Sequence, residues 1–109
     1  MDETLYLEFN VAQLNFEQKR YVEASRALEF LLSHDPDNAS VRTLLARSYY
    51  HAAMLTKAEE QARVLLQRDP TDHYAQLVLG RALQRQSRHG EAREPLRLAA
   101  LFSDDDDTI

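Results

Sequence analysis

Cysteine and tryptophan are absent from this chain, and glycine occurs only twice, at Gly80 and Gly90. Without cysteine there is neither a disulfide framework nor a thiolate zinc site. Two isolated glycines cannot build a phosphate-cradling loop. Together with only three prolines they also leave no segment with the composition of a flexible linker. No apolar run approaches the roughly 20 residues of a membrane span. The N-terminal stretch carries Asp2, Glu3 and Glu8 and lacks a basic region ahead of an apolar core, so no signal peptide is expected there. His34, His51, His73 and His89 fall on different segments with no i, i+4 pair to chelate a metal. No serine stands in a nucleophile elbow. Glu59 and Glu60 are adjacent carboxylates, expected on a solvated helix face. The expectation is a non-enzymatic, cytoplasmic protein with no metal and no cofactor. A net charge of −5 argues against nucleic-acid binding, and no membrane partner is indicated.

What the chain does have is a period. Ala24, Ala58 and Ala92 stand 34 residues apart. The same step carries Ala12 to Ala46 to Gly80, and Asp35-Pro36 to Asp69-Pro70. A fixed period of this size marks a repeat array. Leu7, Val11 and Leu14 follow the i, i+4, i+7 spacing of an amphipathic helix, and Val41, Leu45, Ser48 and Ala75, Leu79, Ala82 repeat it. The small residues allow two helices in a tight hairpin to approach closely. A residue before proline disfavours the α conformation, so each Asp-Pro closes a helix. Asp37-Asn38 and Thr71-Asp72 then supply caps for the next one. These signals predict six helices near 3–18, 21–34, 39–52, 55–68, 73–86 and 89–102, with no strand. Pro95 falls inside the last helix and is expected to kink or loosen its start.

The spacing resembles the tetratricopeptide repeat, a helix–turn–helix unit of this length. The family pattern has a small residue within the first helix (Ala12, Ala46, Gly80), an alanine early in the second (Ala24, Ala58, Ala92) and a closing proline (Pro36, Pro70). Tyr21 fits the aromatic that precedes the second helix. The third unit has Asp104 in place of its proline. The resemblance implies an all-α, right-handed helical-hairpin solenoid of three units, 5–38, 39–72 and 73–106. They form a single domain, 1–102, followed by an acidic tail, 103–109, expected to be disordered by charge repulsion. An alternative for the tail is a ligand mimic, its Ile109 lying in a basic groove of its own or a neighbouring chain.

In such arrays the first helices line a concave groove that holds a peptide. Carried onto this chain, the groove is expected to present Tyr6, Phe9, Gln13, Phe16, Arg47, Tyr50, Tyr74, Val78, Arg81 and Arg85. Asn10, Glu17, Thr43, Leu44, His51, Leu77 and Gln84 are expected beside these ten on the same surface. Aromatics and arginines gathered on one face are typical of recognition hot spots. The subfamily that clamps a chaperone's terminal carboxylate uses positions that here hold Phe9, Gln13, Leu44, Tyr74 and Val78. Only Gln13 offers a polar contact, so that clamp is absent. The expected partner is a protein or an acidic-hydrophobic peptide. At the other end, Leu98, Leu101 and Phe102 make the last helix more apolar than its predecessors, which have Ser33, Gln67, His34 and Arg68 where it has Leu101 and Phe102. That suggests self-association, with a homodimer as the alternative reading.

Overall fold

The computed structural model describes residues 2–103 and 108–109. Six helices follow one another: α1 (Glu3–Glu17), α2 (Tyr21–His34), α3 (Ala39–His51), α4 (Leu55–Arg68), α5 (His73–Arg85) and α6 (His89–Phe102). Each lies within a residue of its predicted bounds, and the described residues contain no strand.

Local chemistry sets these boundaries. The first helix of each pair opens on an Asx cap: Asp2 accepts from the Leu5 amide at 2.9 Å, Asn38 from Val41 at 3.0 Å and Asp72 from Ala75 at 3.1 Å. Asp35 and Asp69, each before a proline, close α2 and α4 outside the helical region, both at φ −144°. Inside each hairpin the turn has a left-handed residue that the sequence pattern does not announce. Lys19, Ala53 and Ser87 have φ of 63°, 61° and 61°, one period apart. The Lys19 amide donates to the Phe16 carbonyl and the Arg20 amide to Asn15, at 3.0 and 2.8 Å, and the other two hairpins repeat this pair of bonds. All three are Schellman turns built without glycine.

Consecutive helices pack antiparallel, with α1 against α3 and α3 against α5 as well. Among the described residues α2 does not reach α4, nor α4 reach α6. Closer approach of the first helices than of the second curves the array, so α1, α3 and α5 form its inner face. The molecule measures 42 × 24 × 24 Å. Ala12, Ala24, Ala46, Ala58 and Ala92 are buried where helices cross. Gly80 is needed for that reason, since a Cβ there would stand 2.5 Å from Leu96 Cδ2 and 3.3 Å from the Leu96 backbone nitrogen.

Two expectations change. Leu7, Val11 and Leu14 carry the helical stripe but are half exposed or more, whereas Val41, Leu45 and Ser48 one period on are buried. α3 and α5 each lie against the helix pair before them, and no described helix covers that side of α1. Glu59 is also not on a solvated face. It is buried, and its carboxylate accepts from Arg63, Gln86 and Arg88, tying α4 to the α5–α6 turn. α6 runs unbroken through Pro95. Asp104–Asp107, on which the expected disorder mainly falls, lie outside the described residues.

Candidate functional site

Because α3 lies between α1 and α5, its side chains reach both neighbours across the inner face. Arg47 does so most directly. Its guanidinium carbon lies 4.8 Å from the centre of the Phe16 ring on α1 and 5.0 Å from that of Tyr74 on α5. A cation held between two ring faces gains from both quadrupoles and loses rotamer freedom. Its donors are therefore aimed before any ligand arrives. Arg47 Nε donates to the backbone oxygen of Ile109 at 2.7 Å.

One helical turn further, His51 stacks on Tyr21 with ring centres 4.6 Å apart and planes 20° apart, and meets Phe16 and Tyr50 edge-on at 5.6 and 5.5 Å. Burial pulls the His51 pKa down, a hydrogen bond to the Ile109 backbone raises it, and Arg47 and Arg85 lower it. It ends below the ordinary value, which favours neutral imidazole near pH 7. Arg85 covers the Tyr50 ring at 5.0 Å and donates to the Tyr50 carbonyl at 3.1 Å. Three inner helices thus assemble a patch of rings and cations around Arg47.

Beside that patch the face is open. A depression of about 370 Å³ between α1 and α3 is lined by Phe9, Gln13, Ser40, Thr43, Leu44 and Arg47. A smaller one of about 220 Å³ adjoins it at Phe16 and Glu17. Ser40 explains the hollow. It stands one period from Tyr6 and from Tyr74, so the middle unit has a small polar group where its neighbours have rings.

Of the ten residues expected in the groove, Phe9, Phe16, Arg47, Tyr50, Tyr74 and Arg81 are half-buried, and Tyr6, Gln13 and Arg85 are exposed. Arg81 lies two turns along α5 from Tyr74, on the same face. Val78 and Leu77 depart from the expectation: at 1% and 3% exposure they belong to the apolar cluster that also includes Leu44 and Ile109, and they offer no open surface. Sequence reasoning missed Ser40 and placed Tyr21 only in a helix junction. The period does hold a signal for Ser40, as the one break in a tyrosine column. At the far end Leu98 and Phe102 are half-buried, while Leu101 is 64% exposed. Among the described residues no group of histidines and carboxylates is arranged to hold a metal ion, and no helix is long and apolar enough to cross a membrane.

Two tetratricopeptide repeat family models match the chain, over residues 15–78 and 55–107. No curated protein sequence matches it. Similar solved structures include the Arabidopsis OM64 TPR domain, 17% identical, with a TM-score of 0.87 over 95% of this chain and 86% of that one. A point mutant of MamA is 16% identical, with a TM-score of 0.86 over 94% of this chain and 75% of that one. The second TPR of Spaghetti (RPAP3), bound to the HSP90 peptide SRMEEVD, is 18% identical, with a TM-score of 0.83 over 93% of this chain and 94% of that one. At such identities the likeness is one of fold.

Proposed function

The chain belongs to the tetratricopeptide repeat family, and from that premise we propose that it is a non-enzymatic adaptor binding a peptide or partner helix along its inner face. The first and second TPRs of Spaghetti hold the HSP90 peptide SRMEEVD, which supports a peptide as the class of ligand. The observation that carries the reading is Arg47. Pinned between Phe16 and Tyr74 beside an open depression, it presents its donors to a backbone carbonyl or a carboxylate at little entropic cost. Arg81 and Arg85 extend the cationic strip, and Phe9 and Leu44 supply apolar floor. The ligand is an acidic-hydrophobic segment. It is not the chaperone carboxylate-clamp kind, because Phe9, Leu44, Tyr74 and Val78 occupy the clamp positions without its amines and amides.

An array of acidic-hydrophobic peptides probed with wild type and with the triple variant Arg47→Ala, Tyr74→Ala, Arg81→Ala tests this. Binding should fall at least about tenfold in the variant, as for loss of a hot spot. Equal binding by a variant with an unchanged helical spectrum would end the groove reading. A second reading, a homodimer through the α6 end, has one observation in its favour: Leu101 is 64% exposed on a helix face that no described helix covers.

A further inference from the structure

Resting on the groove reading, we propose that the Arg47 half of the inner face recognises an acidic peptide carrying a β-branched aliphatic anchor, and that Ile109, which follows an acidic run in the sequence, is such an anchor, bound within the same chain. Ile109 is only 7% exposed, although it lies beyond the last helix, where Leu101 is 64% exposed. It is part of the apolar cluster that contains Leu44, Leu77 and Val78. Its backbone oxygen accepts from Arg47 Nε at 2.7 Å. An anchored side chain and a held main-chain oxygen together are how a groove reads an extended peptide.

Reach and charge agree. The six Cα–Cα steps from Ser103 to Ile109 can span about 20 Å when extended, against a molecular cross-section of 24 Å. Before Ile109 the sequence reads Asp104-Asp105-Asp106-Asp107-Thr108. The groove answers with Arg47, Arg81 and Arg85; Glu17 is the carboxylate among the residues lining the adjoining hollow. Among the described residues, Ile109 is not one of those lining the 370 Å³ depression, so Ile109 itself leaves that half open. An outside peptide needing both halves must displace the internal one. A short tether gives the internal segment a local concentration on the order of millimolar, so it competes with any ligand of ordinary affinity. The segment thus sets a threshold on binding and reveals the sequence class that the groove prefers.

The test uses a fluorescent synthetic peptide with the sequence of residues 103–109, titrated by anisotropy against the full chain. Wild type should bind it weakly. Ile109→Asp, which keeps the net fold but expels the anchor, should bind it at least about tenfold tighter through loss of the competitor. Adding Arg47→Ala to Ile109→Asp should remove that gain, with amide shift changes in the single variant confined to Arg47, His51 and their neighbours. Equal affinity for wild type and Ile109→Asp would overturn internal occupancy while leaving the groove intact. Shift changes mapping to α2, α4 and α6 would overturn the groove reading itself. A wild-type dimer in light scattering that Ile109→Asp dissolves would also overturn the proposal, by assigning the contact to exchange between copies.

Discussion

Lys19, Ala53 and Ser87 adopt a conformation in which the Cβ crowds its own backbone, and each has a side chain where glycine would be free of that strain. The Schellman bonds that close each hairpin hold them there. Ala53→Gly should therefore raise stability by about 1 kcal/mol, read as a higher denaturation midpoint with an unchanged slope; a lower midpoint would contradict the account. Glu59 works through charge instead. Burial pushes its carboxyl pKa up, but hydrogen bonds from Gln86, Arg63 and Arg88 outweigh burial and hold it below the ordinary 4.5. A group depressed in the folded state contributes fully above its unfolded pKa and loses that contribution as pH falls through the folded one. Wild type should thus lose stability below pH 4.5 by an amount that Glu59→Gln does not share. Near pH 7 the variant should be less stable by about 1–2 kcal/mol, since both arginines stay partly solvated. Chemical denaturation of the two proteins across acid pH checks both statements.

Among the helices, equivalent positions in the repeat are not equivalent in energy. Leu45 is 1% exposed and Val11, one period earlier, is 51% exposed. Leu45→Ala should cost about 2–5 kcal/mol, whereas Val11→Ala should stay within about 0.5 kcal/mol. Equal losses in thermal melts would mean that α1 is covered in solution on the side left open here. α6 is the helix with an internal proline. Pro95 cannot donate to the Glu91 carbonyl, and exposed Gly90 gives the first turn extra freedom. Amides in the first two turns of α6 should exchange faster than those of α2; equal protection would show that packing on α5 compensates fully.

The whole molecule turns a stack of hairpins into a curved face with two unlike halves: a ring-and-cation patch that holds Ile109, and an open hollow over Ser40. Its α6 end, with Leu101 outermost, is where copies would meet. If they do, light scattering at rising concentration should show mass growth that Leu101→Glu abolishes. A constant monomer mass would remove the dimer reading. Much of this was legible beforehand, because a 34-residue period fixes which residues share a face. The inner-face positions of Phe16, Arg47 and Tyr74 follow from the resemblance to the tetratricopeptide repeat. Their convergence on one guanidinium does not, because it depends on how three helices lean together.

Sequence by itself determined the six helices, their caps, the Asp-Pro stops and the small residues at the crossings, because each is a local or periodic requirement. Only tertiary structure decided that Leu7, Val11 and Leu14 face outward, that Glu59 is buried in a charge network, and that Ile109 lies against Arg47. Burial depends on what lies opposite a side chain, and a repeat unit does not encode whether it has a neighbour.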